Sequence, residues 1–225
     1  FKFGSTSSAS SHYAYAAAAA NVISSRTGIQ VTVVTTGGSQ ENLQRMRRAQ
    51  VTMGLTSVQP LYTAFHGLGN FEGRPYKKPR LLWIYSVSPM SIVVRQETGI
   101  TSIYDLDGKR FNPSGRGTAS EVFLKNSFEV LGISPDYYLA SIPDAVDAVK
   151  NKRIVGFTKV GAGQKPDAAI MELMAFTPIR ILGFSQEDID KILEEYPYYV
   201  EVPIPAGTYD AEWNEEPIRS IGAIV

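Results

Sequence analysis

The chain has 225 residues, 44% hydrophobic and 20% charged, a balance that supports one large domain or two lobes with a real apolar core. Lys+Arg and Asp+Glu each number 22, so the formal charge is zero and the basic excess of a nucleic-acid binder or membrane-surface protein is missing. No apolar run approaches the roughly 18 residues that span a bilayer, and the lack of cysteine excludes thiol catalysis, disulfides and cysteine-ligated metal.

Turn signals and periodicity divide the chain into alternating strands and helices. Phe1 to Gly4 reads as a short strand, without the positive start, apolar core and cleavage site of a secretory leader, so an exported protein of this sequence is a mature form. Ser11 to Ser24 is an alanine-rich helix behind a Ser/Thr cluster able to cap it. Gln30 to Thr35 is a β-branched strand, broken by Gly37-Gly38-Ser39, with Ser39 as the cap of a helix over Gln40 to Arg48. Thr52 to Thr56 is a strand and Gln59 to Phe65 a helix; Arg80 to Val87 and Ser91 to Arg95 are strands separated by Ser88-Pro89. Further on, strands are expected at 109–111, 137–140, 154–160 and 179–182, and helices at 118–131, 144–150, 166–175 and 186–195.

Such alternation indicates βαβ units and a largely parallel sheet, as one nine-stranded sheet or two smaller ones split near Ser88 and rejoined near Gly207. In open parallel sheets ligands sit where strands turn into helices. Those turns are small and hydroxylic here: Gly4 to Ser8, Thr35 to Ser39, Thr56-Ser57, Ser86 to Ser88 and Ser114 to Thr118. Backbone amides at helix starts attract anions, so the ligand-binding candidates are Ser5, Ser7, Ser8, Tyr13, Gly37, Gly38, Ser39, Ser57, Ser88, Arg116, Gly117, Thr118 and Gly161. The alternative reading of the same turns is ordinary capping chemistry.

Within Asn112 to Thr118, Arg116 can grip a carboxylate bidentately or wave in solvent; the Lys-Ser/Thr ending of a phosphate loop is absent. Tyr13 can bond a ligand near the helix start or pack against a neighbour. His12 and His66 have no metal-ligand partner at useful spacing, and no acid pair stands out for acid–base work, so neither catalytic residues nor a metal or cofactor are assigned. Tyr196 to Tyr209 carries four tyrosines and three prolines; it reads as an extended aromatic connector whose prolines demote any strand to an edge, or as a proline-pinned surface segment.

Together these segments resemble the TAXI family of solute receptors, which serve one branch of TRAP transporters. The resemblance runs through Gly4 to Tyr15, Thr36-Gly37-Gly38-Ser39-x-x-Asn42-Leu43, Val93-Val94-Arg95, Asp105-Leu106-x-Gly108-Lys109-Arg110, Thr177-Pro178-Ile179-Arg180, Tyr196 to Tyr199 and Ile204 to Tyr209. It implies an α/β, two-lobed periplasmic-binding-protein-like (type II) fold with a hinge of crossing strands and a ligand cleft between the lobes. Lobe 1 is expected at 1–88, with 215–225 returning to it, and lobe 2 at 89–214. The implied ligand is a small organic anion, such as glutamate or 2-oxoglutarate, delivered to membrane permease subunits from the periplasm.

Departures sharpen the expectation. Arg116 stands where the family usually has serine, and Thr56-Ser57-Val58 replaces an acidic tripeptide that could hold an amine, which favours an oxo- or hydroxy-dicarboxylate. Family members also continue beyond the position of Val225, so the resemblance implies a C-terminally truncated chain as an expectation. Two alternatives share the scaffold: an ABC-type or sensory receptor, and an enzyme, for which the sequence offers no convincing catalytic set.

Overall fold

The computed structural model describes residues 1–8, 10–161, 165–210 and 214–225. The chain forms two compact units: Phe1–Tyr85 with Gly117–Ala119 and Ile224–Val225, and Ser86–Arg116 with Ser120–Ala223.

In the first unit β1 (Lys2–Gly4), β2 (Thr32–Val34) and β3 (Met53–Gly54) form a parallel sheet in the order β2-β1-β3. Its register sets Phe3 opposite both Val33 and Met53. Helices α1 (Ser11–Thr27), α2 (Ser39–Arg47) and α3 (Val58–His66) follow the three strands in turn. The Ser10 hydroxyl accepts from the His12 amide to start α1, and Gly28, at φ 72°, ends it by donating to the Ser24 carbonyl. Phe3, Ala16, Ala20 and Leu55 make one apolar cluster, and Leu43, Ala64 and Phe71 a second.

Two expectations change here. Ser39 is the first residue of α2 rather than its cap; Gly38 takes the cap position at φ 106°, a conformation in which a side chain is disfavoured, and no side chain caps the end. The expected strand at 80–87 is irregular up to Ser86, although its residues are apolar and β-prone. Among the described residues its one bond between backbone groups is the Tyr85 amide to the Val225 carbonyl, 3.0 Å, and Leu81, Leu82 and Ile84 stay exposed. A strand exists only where a neighbour completes its ladder.

The second unit is built on β4 (Val87–Arg95), one continuous strand where two were expected. Pro89 does not interrupt it, because the pairing with β7 (Gly156–Val160) begins at Met90, past the missing N–H. The sheet runs β6-β5-β7-β4-β10-β9, with β8 (Ile179–Leu182) also on β4; β5 is Arg110–Asn112, β6 Asp136–Tyr137, β9 Val200–Glu201 and β10 Ile221–Ile224. It is mixed rather than largely parallel: β5 lies parallel to β6 and β7, whereas β4 is antiparallel to β7 and β8, and β9 to β10. Gly156 is forced by proximity, since a Cβ there would lie 2.0 Å from the Val93 carbonyl oxygen.

Helices α4 (Ala119–Leu131), α5 (Ile142–Lys150), α6 (Ala168–Met174) and α7 (Gln186–Glu195) bury two clusters against this sheet. One centres on Ile92, Val94, Phe111, Leu124 and Phe128, the other on Val93, Val146, Phe157 and Ile170. The Tyr-Pro segment is partly core rather than all surface connector. Tyr199 is buried against Phe123, with ring centroids 4.1 Å apart, and its hydroxyl accepts from Asn126 at 3.3 Å. Val200–Glu201 forms the expected edge strand.

Candidate functional site

In the first unit all three strands end at the same side, and Asn42 ties their ends together. It projects from α2, fully buried, over the two glycines that close β1 and β3: a Cβ on Gly4 would lie 2.5 Å from its Oδ1, and one on Gly54 3.0 Å from its Cβ. Its Nδ2 donates to the Ser5 carbonyl at 2.7 Å and to the Leu55 carbonyl at 2.8 Å, while its Oδ1 accepts from the Thr36 hydroxyl at 2.8 Å. One side chain therefore bonds the loops after β1, β2 and β3. The motif from Thr36 to Asn42 is a brace before it is anything else.

The brace gathers five predicted residues: Ser5, Gly37, Gly38, Ser39 and Ser57. Ser39 Oγ accepts from the Ser57 amide at 3.1 Å. The Gly38 amide donates to Thr36 Oγ1 at 3.1 Å, and the Gly37 amide donates to Glu41 Oε2 at 2.7 Å. Both glycine amides thus have internal partners, and the Glu41 carboxylate occupies the position at the start of α2 that an anion would seek. That Gly37 bond holds Glu41 below the usual carboxylate range, against the opposing effect of burial, with Arg45 adding to it.

What remains without a protein partner is a set of side-chain atoms. Ser5 Oγ, Gln40 Oε1 and Gln59 Oε1 are enclosed and bond to no protein group. They come from the turn after β1 and the first turns of α2 and α3, where the three strands give way to helices. Ser7 and Ser8 are exposed in the β1–α1 loop, and Tyr13 is half-buried on the first turn of α1. Tyr15, two residues on, is more engaged: it stacks on Tyr85 at 3.9 Å and accepts from Trp83 Nε1 at 2.6 Å, while His12 Nδ1 meets the Tyr85 hydroxyl.

The second unit repeats the device. Asn112, fully buried at the end of β5, donates through Nδ2 to the Tyr138 and Ala140 carbonyls at 2.7 and 3.1 Å, and its Oδ1 accepts from the Ser114 amide at 2.9 Å. Ser114 is held at φ 106°, a strained conformation for a residue with a Cβ. Arg116 is exposed beyond it; Gly117, exposed, and Thr118, half-buried, belong to the first unit. Ser88 is fully buried, its hydroxyl 2.7 Å from that of Ser86.

Gly161 lines a cavity of about 10 Å³ with Lys159, Lys165, Asp167 and Tyr209, room for a water rather than for a dicarboxylate. Lys159 pairs with Asp167 at 2.8 Å, and Asp167 also accepts from the Ala169 and Ile170 amides at the start of α6. Asn42, Asn112, Gln40, Gln59 and Lys159 are the site residues that sequence reasoning missed. A usable signal existed for two of them: Asn42 and Asn112 both sit beside glycine-serine turns. Among the described residues no group of histidines and acids suited to a metal is found.

The profile of the NMT1-like family matches residues 3–224. The chain belongs to the NMT1-like family. Solved structures similar to this NMT1-like chain are periplasmic binding proteins and related ligand-binding domains. The periplasmic aliphatic sulphonate binding protein SsuA of Escherichia coli aligns at TM-score 0.53 and 14% identity, over 81% of this chain and 56% of its own. The GluR0 ligand-binding core of Nostoc punctiforme, in complex with L-glutamate, aligns at 0.55 and 14%, over 100% of this chain and 84% of its own. The CcmR regulatory domain of Synechocystis PCC6803, in complex with 2-PG, aligns at 0.52 and 13%, over 99% and 86%. The NMT1-like chain thus has a periplasmic-binding-protein-like α/β fold and spans little more than half the length of the E. coli protein.

Proposed function

We propose that this NMT1-like chain is an extracytoplasmic solute-binding receptor that takes a small organic anion of the glutamate or 2-oxoglutarate class, without chemical turnover. The observation that carries the reading is the trio of enclosed, unpartnered polar atoms, Ser5 Oγ, Gln40 Oε1 and Gln59 Oε1, at the strand ends braced by Asn42. Buried polar groups are nearly always hydrogen-bonded, so three at one end of a parallel sheet support a ligand there. The Ser5 hydroxyl can donate to a carboxylate, while the two glutamine Oε1 atoms accept and call for a hydroxyl or ammonium donor on the same ligand. Arg116, exposed on the second unit, carries a guanidinium able to grip a carboxylate bidentately. The TAXI resemblance supports delivery to a TRAP permease.

The second reading is an ABC-type receptor for a sulphonate, favoured by the likeness to SsuA. Thermal-shift titration separates the two. A cognate ligand at a hundredfold its Kd stabilises by about 2.7 kcal/mol. Glutamate, 2-oxoglutarate or another C4–C6 dicarboxylate is expected to raise Tm where alkanesulphonates do not, and the reverse result would replace the first reading with the second. In calorimetry Arg116→Ala is expected to weaken dicarboxylate binding by about 1.5–3 kcal/mol. Unchanged affinity removes Arg116 from the site, and product formation from a bound ligand defeats the receptor reading altogether.

A further inference from the structure

One cavity of the first unit is lined by none of the strand-end residues that the receptor reading uses. It has a volume of about 410 Å³, within the range of small-molecule sites, roughly 300–1,000 Å³. Its wall is a wedge between α2 and the sheet. On the sheet side are Lys2 and Val34; Val34 pairs with Gly4, and Lys2 precedes Gly4 by two residues, so all three share the face that Asn42 covers. On the helix side are Glu41, Arg45 and Arg48, spaced so that one helical face presents them all. Asn42 holds α2 close at the glycines, and β2 is the sheet's edge strand.

The charges in this wedge do not cancel. Arg45 is neutralised by Glu41, 2.6 Å away, and Glu41 is further fixed by the Gly37 amide. Lys2 and Arg48 form no ion pair among the described residues. Lys2 and Arg48 therefore line one concavity together with the paired Arg45 and Glu41, Gln44, Gln50 and Val34. A monoanion leaves either Lys2 or Arg48 uncompensated, whereas a tetrahedral dianion presents several acceptor oxygens to a lysine and a guanidinium at once. The cavity is larger than orthophosphate and leaves room for a short organic substituent. From this geometry we infer that the α2–β2 wedge is a second ligand site, selective for a phosphate dianion, free or as a small monoester, held by Lys2 and Arg48.

The test is calorimetric titration of the whole chain with inorganic phosphate and, separately, glycerol 3-phosphate, at constant ionic strength set with sodium chloride. Saturable one-site binding is expected, and the tighter of the two probes names the natural form of the phosphate. Lys2→Ala/Arg48→Ala should weaken it about tenfold or more, as the loss of charged hydrogen bonds predicts. Lys2→Arg/Arg48→Lys should retain it, and both pairs should leave dicarboxylate binding and the thermal midpoint unchanged, since these side chains lie on the surface. Saturating 2-oxoglutarate should not alter phosphate affinity. Absence of saturation overturns the inference, as does phosphate binding that ignores the Lys2/Arg48 pair. Competition by 2-oxoglutarate also overturns it, but assigns phosphate to the strand-end loops and leaves the receptor reading standing. Phosphate binding that depends on the pair, in a chain that takes no dicarboxylate, upholds the wedge and defeats the receptor reading.

Discussion

Asn42 and Asn112 do for the two units what no apolar residue could: each side chain closes the hydrogen bonds of loops that have left the ladder. Their amides are matched group by group, donor to carbonyl and acceptor to hydroxyl or amide. Asn42→Ala takes the side-chain donor from the Leu55 carbonyl, while the Thr36 hydroxyl keeps the Ser5 carbonyl, and is expected to cost about 1–3 kcal/mol in urea unfolding. Asn42→Asp should cost at least as much, because a carboxylate cannot donate and would face the Ser5 and Leu55 carbonyls. An aspartate variant as stable as the wild type would show that Asn42 is not the brace described. At this scale the glycine-serine turns were legible in the sequence, but their partners were not. The amides of Gly37 and Gly38 bond to Glu41 and Thr36, and nothing in the linear order says which donors find internal partners.

Local elements were most legible where capping chemistry and periodicity agreed. Helix α7 and strand β8 fall on the residues expected, because Ser185 opens a capping box with Asp188 and the apolar positions of the helix lie on one face. Asp188 does more than cap. Its Oδ2 accepts from the Ser185 amide at 2.9 Å and its Oδ1 from the Tyr104 hydroxyl at 2.6 Å. Burial pushes its carboxyl up, but these bonds outweigh burial and hold it below the usual range, while the bond to Asp188 pushes the Tyr104 hydroxyl up to about 12. With the folded value below the unfolded one, the stabilisation is present above the unfolded pKa of about 3.9 and is lost as pH falls through the folded value. Asp188→Asn is expected to lower stability by about 1–3 kcal/mol near pH 7 and to flatten the acid limb of the stability curve below about pH 5. Equal acid sensitivity in the variant would assign that limb to other carboxylates, Asp105 and Glu41 among them, whose values are also held down.

On the scale of the whole molecule the two units differ in how much core they carry. The first rests on strands of two or three residues and on clusters rich in alanine. The second is threaded by β4, whose Ile92, Val93 and Val94 are fully buried between β7 and β8. Opening free energy follows buried apolar contact, so the molecule should not unfold uniformly. Hydrogen exchange read by mass spectrometry is expected to show β1–β3 amides exchanging faster than those at 92–94, and the addition of a cognate dicarboxylate should slow the first group. Uniform protection across both sheets would contradict this.

Sequence alone determined the alternation of elements, the absence of thiol chemistry and the glycine-serine turns, since these depend on local propensity and residue type. Tertiary structure decided strand direction, the unbroken run through Pro89, the irregular path of Arg80 to Ser86 and the asparagine braces. Each of those turns on which distant backbone group completes a hydrogen bond, and that partner is chosen by packing rather than by the neighbours in the chain.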